Sequence, residues 1–391
     1  MRSTGLWILC VLALAPVATA QNPPVYKVDP AWPKRLPNKW STQQIVDIYV
    51  DKDDHIWVLN RSDDARPDEL GASTIPPRSE CCVLGPEVLE FDTEGNVLKA
   101  WGNQSYVPGW PGRLQTLAVD REGNVWISGT RPGDSIIKFS SDGKLLWDFG
   151  HRGPRVPAED VKQDNQQTET FPPGIGGFDF DEDAHEIYIN DGFLNKRILV
   201  YDMNTGAFRR GWGGHGIPLS EIDNNPTPNY DISGPPPDQK QFAPALHCVH
   251  VSRDGLVYVC ERGSDRIQVF TKEGKFVTSF FVHPSTQARG PNCGGIWSLK
   301  DAPCGTVYNL TFSHDPGQKY LLVADGTNNM VWILDRKTGV VAGSFGGNGR
   351  YAGQFHWIDA VAVDSKGNVY TGEVEDGKRI QKFTLTNGDR P

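Results

Sequence analysis

Residues 246–281 read LHCVHVSRDGLVYVCERGSDRIQVFTKEGKFVTSFF, and this stretch decides the fold. Apolar β-branched and aromatic residues alternate with polar ones in four short runs, His247–Val251, Leu256–Cys260, Arg266–Thr271 and Lys275–Phe281. A period of two predicts β-strands. Between the runs, Arg253-Asp254-Gly255 and Lys272-Glu273-Gly274 are hairpin turns in which glycine supplies the positive φ that other residues resist. The stretch is therefore expected to be one four-stranded antiparallel meander.

The unit recurs. Ile45–Gly102 carries it with a long insertion, Leu114–Gly150, Gly174–Gly213 and Thr306–Gly346 repeat it, and Trp357–Thr384 has only three of its strands. Four-stranded units at this period are propeller blades, and closing them into a ring removes the sheet edges that would otherwise pair with other chains. The last blade then needs an outer strand from elsewhere. Val25–Ala31 precedes the first repeat and has no blade of its own, so it is expected to be the clasp. The expected architecture is all-β: a single six-bladed β-propeller domain over residues 21–391, of four-stranded antiparallel blades closed by an N-terminal strand.

Composition agrees. The 391 residues include 42 glycines and 29 prolines but 3 methionines, as many turns and few helices require. A net charge of −9 with no basic run argues against nucleic acid and anionic membrane surfaces as partners. Residues 1–20 have the form of a signal peptide: Arg2, an apolar run over Leu6–Val17, and the small residues Ala18-Thr19-Ala20 as a cleavage site. The run is too short to span a bilayer, so a secreted or periplasmic protein cut after Ala20 is expected.

Of the 7 cysteines, six follow residue 20, and an even number in an oxidising compartment favours disulfides. By analogy with the Leu114–Ser128 hairpin, Cys248 and Cys260 fall opposite each other on adjacent strands, while Cys293 and Cys304 close a short loop. The adjacent Cys81 and Cys82 offer an obvious role to one of them at most. None of these spacings is that of a zinc knuckle.

The insertions locate the working face. Turns after the first and third strands of each blade are tight, whereas those after the second and fourth include Arg61–Glu87, His151–Pro173, Gly214–Pro244 and Val282–Gly305. Loops of that length on a rigid scaffold are where sites are built. Aligned on the apolar pair that follows, the innermost strands bring Val46, Gln115, Gly176, His247, Tyr308 and Asp359 toward the channel. Gln115, His247, Tyr308 and Asp359 are polar. A wet channel tolerates that, and a functional mouth beneath long loops explains it more sharply.

At these residues the chain resembles a known family. Leu246–Phe270, Asn190–Asp202, Glu80–Trp101 and Ala324–Gln354 are similar to NHL-type repeats, and nearly the whole chain resembles exported bacterial-type six-bladed propellers related to peptidyl-α-hydroxyglycine α-amidating lyase. The resemblance implies a zinc-binding ring at Gln115, His247 and Asp359, where the family has three histidines. It implies anion-binding arginines at Arg61 and Arg262, and it places Phe193 where the family has its catalytic tyrosine. Ala360 stands where the family has a calcium-associated aspartate.

Read as chemistry, one imidazole, one carboxylate and one amide oxygen are a poor zinc set, with Tyr308 an unfavourable fourth ligand. No tightly bound zinc is expected, and a weakly bound divalent cation is compatible. Ser313-His314-Asp315 reads as a turn, since a catalytic triad is a spatial arrangement. His250 is expected to point away from His247, and Arg197, Arg266 and Arg379 to bond neighbouring blades. Two classes of function follow. In one, a diverged lyase-like enzyme holds a small carboxylate with Arg61 and Arg262 while His247 and Asp359 move protons. In the other, a non-catalytic propeller binds a small ligand or a protein partner.

Overall fold

The computed structural model describes residues 23–63, 65–171, 175–229, 232–236, 239–290, 293 and 303–387; the expected signal peptide lies outside them. The deciding stretch folds as Leu246–Val251, Leu256–Glu261, Arg266–Thr271 and Phe276–Phe281, paired in chain order into one antiparallel sheet. Gly255 and Gly274 sit in its two hairpin turns at φ +81° and +83°. With blades numbered along the chain, this is blade four.

Blades one, two, three and five have innermost strands Gln44–Val50, Leu114–Val119, Ile175–Asp181 and Asn309–Phe312, each followed outward by three more in sequence order. Blade six takes Ile358–Val363, Val369–Glu373 and Ile380–Asn387 from the C-terminal end, and Val25–Asp29 from the N-terminal end pairs antiparallel with the last of these. The expected clasp is therefore real, two residues shorter than the sequence pattern drew it. It closes a six-bladed β-propeller.

Burial explains why the ring holds. Among the described residues the core falls into six apolar clusters, one at each blade-to-blade contact. For example, Trp57, Leu59, Trp110, Leu117 and Ile127 join blades one and two, while Ile45, Val58, Ala360 and Tyr370 join blades six and one. Because each sheet is covered on both faces by its neighbours, its second strand is nearly all apolar, as in Leu256–Glu261. Among the described residues no helix is long and apolar enough to cross a membrane.

Three details differ from the sequence expectation. Cys81 and Cys82 are bonded to each other, so both have a role, while Cys248–Cys260 and Cys293–Cys304 pair as expected. Arg197, Arg266 and Arg379 do not reach into the next blade. Each grips the acid that ends its own blade's second strand: Arg266 Nε donates to Glu261 at 2.7 Å, Arg197 Nε to Asp191 at 2.7 Å and Arg379 Nε to Glu373 at 2.7 Å. Their remaining donors bond carbonyls of the incoming segment, such as Gln239 O at 3.1 Å and Gln354 O at 2.7 Å. Finally, His250 lines the same channel as His247, for a reason that lies in the backbone.

Candidate functional site

A β-bulge sets up the channel mouth. In five innermost strands the pairing register slips by one residue, between Ile45 and Asp47, Leu114 and Thr116, Ile175 and Gly177, Leu246 and Cys248, and Ile358 and Ala360. The extra residues are Val46, Gln115, Gly176, His247 and Asp359, the positions that the repeat alignment singled out. A bulge leaves one residue unpaired and re-aims its side chain, which here turns it into the channel. It also resets the alternation, so a simple period of two cannot be carried from His247 to His250.

The expected site residues come together. His247 Nε2 lies 3.8 Å from Asp359 Oδ1. The Phe193 ring meets the His247 ring edge-on with centroids 5.2 Å apart, and His247 and Tyr308 are 5.3 Å apart. The Arg262 guanidinium stacks 4.8 Å over Tyr308. Gln115 shares the channel wall with His247. All but Arg262 are buried, and Arg262 is half-buried.

The two arginines differ. Arg61 is buried, donates to Gln44 Oε1 and, at 3.4 Å, to the Leu114 carbonyl, and has Asp63 at 3.9 Å. Arg262 is stacked on Tyr308 and pairs with no carboxylate among the described residues. Of the two, Arg262 is the cation whose guanidinium donors meet no acceptor among the described residues.

Electrostatics reverse the usual order of the acid and the base. Burial first, then the positive charges of Arg262 and Arg61, hold the His247 imidazole well below its ordinary range, so it is neutral at pH 7. Burial pushes the Asp359 carboxyl up to about 7 even though both arginines pull it down, and the charges of Asp47 and Glu375 add to the rise. Glu375 was not foreseen. It lies two residues past Glu373, as Phe193 lies two past Asp191, so extending the repeat alignment one turn further would have found it. Tyr308 is raised by burial against the pull of Arg262.

Toward the trimmed face the channel narrows to a cavity of about 40 Å³, with room for about two or three waters. A polar belt crosses it. His250 bonds Asn309 Oδ1 at 3.0 Å and faces Asp179 at 3.6 Å. Asp47 accepts from Thr116 Oγ1 at 3.0 Å and Leu117 N at 2.9 Å. These bonds tie one blade's innermost strand to another's. On the opposite face the long loops are fastened together: Asn165 Nδ2 donates to Asn224 Oδ1 at 2.7 Å, Arg289 Nε to Pro228 O at 2.6 Å, and Lys378 Nζ to Glu69 at 2.6 Å. The mouth is thus rimmed by a braced crown.

The zinc implied by the family resemblance can be tested against these donors. A neutral imidazole, a carboxyl that resists ionisation and an amide share the ring with two guanidinium groups whose field opposes a cation. The set does not fit zinc, and no step is derived through a metal.

Fold and mouth define the class: a six-bladed β-propeller with a looped channel mouth. Its relatives include NHL repeat-containing protein 3 of Mus musculus, 24% identical over 264 residues that cover 66% of this chain and 60% of that protein. The Homo sapiens protein of the same name is 26% identical over 323 residues, 78% of this chain and 75% of that protein. The chain thus spans about three-fifths of the mouse relative's length. No family model matches. Similar solved structures include a catalytically inactive virginiamycin B lyase from Staphylococcus aureus with quinupristin, at 12% identity, TM-score 0.47 and coverage of 93% and 89% of the two chains. Another is a streptogramin B lyase, at 12% identity, TM-score 0.44 and coverage of 94% and 89%.

Proposed function

We propose that this is an exported NHL-type propeller that takes a small carboxylate-bearing ligand at the looped mouth and acts on it by proton transfer. The observation that carries the reading is Arg262: a half-buried guanidinium, braced on Tyr308, with no carboxylate partner among the described residues. A planar cation held in this way prefers a planar anion bound through paired hydrogen bonds. Beside it, neutral His247 is available as a general base. Asp359, near the midpoint of its titration at neutral pH, can hold or release the proton that a general acid needs. Three disulfides fit an oxidising compartment and support export.

A second reading, a non-catalytic binding propeller, is favoured by Phe193, which brings no hydroxyl to the mouth, and by Arg61, whose donors are already directed at protein groups. One experiment addresses both. Calorimetry with a panel of small carboxylates should find binding that Arg262→Ala weakens by about 1.5–3 kcal/mol, the range for a hydrogen bond to a charged group. Incubation with the bound anion, followed by mass spectrometry, should show turnover that His247→Ala abolishes. Binding without turnover would leave the scaffold reading. The absence of any anion sensitive to Arg262 would end the anion reading and leave a scaffold for a partner of another kind.

A further inference from the structure

We infer that the anion taken at the mouth carries a flat apolar body, as an arylcarboxylate does, rather than a chain of hydroxyls; this deepens the anion reading above and rests on it. The mouth is two-sided. On one arc the rings run without a break through three successive blades: Phe193 edge-on to His247 at 5.2 Å, His247 to Tyr308 at 5.3 Å, and the Arg262 guanidinium 4.8 Å over Tyr308. On the other arc stand the charges, Asp359 and Glu375 from blade six and Arg61 from blade one.

Geometry connects the two sides. A guanidinium stacked on a ring keeps its N–H donors in its own plane, so a carboxylate forked onto Arg262 lies in that plane as well. The group that bears the carboxylate is then held beside Tyr308, at the end of the run of rings. A sugar acid would press hydroxyls against these rings and strip them of water without new partners. An aryl group would gain edge-on and offset contacts along with its own burial. Phe193 matters most here, because a carbon-only ring ends the wall.

Calorimetry of the full mature chain with acetate, gluconate, benzoate and the uncharged isostere benzamide decides the matter. Benzoate should bind at least about tenfold tighter than acetate or gluconate, the scale expected for burying part of a phenyl ring, and benzamide should not bind measurably. Phe193→Ser, checked by circular dichroism, should shrink the benzoate-to-acetate ratio, and the panel on the unmodified protein stands even where that variant does not fold. Equal affinities for all three anions, each lost in Arg262→Ala, would overturn the flat body and leave the anion reading intact. No binding of any anion would overturn both.

Discussion

Arg266 and Glu261 are both fully buried and hold each other through two hydrogen bonds, at 2.7 and 3.0 Å. The pair gains little over a hydrophobic pair, yet breaking it leaves a charge with no water and no partner. Arg266→Ala should therefore cost about 3–5 kcal/mol, read as a lower denaturation midpoint, whereas Arg253, exposed at a turn, should tolerate alanine. Asp359 makes a second prediction at this scale. Its folded carboxyl sits near 7, above the ordinary 3.8, so between these values folding takes up a proton and stability falls as pH rises. Asp359→Asn should remove that slope, raising the unfolding free energy more at pH 8 than at pH 4, by an amount on the order of a few kcal/mol, read from denaturant melts at the two pH values. His250 has the opposite origin: burial opposes its charge, but the bond and charge of Asp179, with Asn309 and Asp47, raise it. Its contribution is present below the ordinary histidine value and fades as pH climbs through the raised one. His250→Asn should then lose more stability at pH 5 than at pH 8.

The N-terminal strand makes its bonds to Ile380–Asn387 and lays Tyr26 and Val28 against the apolar contact of blades five and six, where Tyr26 and Phe345 have centroids 5.0 Å apart. Just beyond it, Trp32 packs 5.0 Å from Tyr370 at the contact of blades six and one. Deleting residues 21–34 would bare an unpaired edge and open two apolar clusters at once, so the shortened chain should aggregate or lose much of its thermal stability. A melt like that of the full chain would dissolve the clasp. Elements of this kind were legible because strands announce themselves by period and turns by glycine, as Leu246–Phe281 did. The bulges were not. Each inserts one residue without a compositional mark, and only alignment of the six repeats exposed Gln115, His247 and Asp359 as positions apart, while a strict period misdirected His250. The partners of Arg266 and the pairing of Cys81 with Cys82 depend on how segments fold back, and no local pattern states that.

The ring as a whole sets what the mouth can hold. Gln115, His247 and Asp359 are the bulge residues of blades two, four and six, so they approach the axis from every other blade. Three imidazoles at those positions would face one another as three-histidine metal sites require, with a fourth position open toward the loops. The unmodified set lacks two of the imidazoles, and the guanidinium groups of Arg262 and Arg61, which add to burial in suppressing the charge on His247, act against a cation at the same place. Zinc should therefore not accompany the unmodified protein through dialysis. In the Gln115→His, Asp359→His double variant the donor set changes and the closed ring does not, because neither Gln115 nor Asp359 belongs to the six apolar clusters that hold it. That variant should retain about one equivalent of zinc per chain by elemental analysis, and its Tm should rise with added zinc because binding to the folded state alone stabilises it. Zinc already stoichiometric in the unmodified chain would mean that an amide and a carboxyl suffice where imidazoles were thought necessary. A folded double variant without zinc would mean that the bulges hold these side chains too far apart to share an ion, and the mouth would then be built for the anion alone.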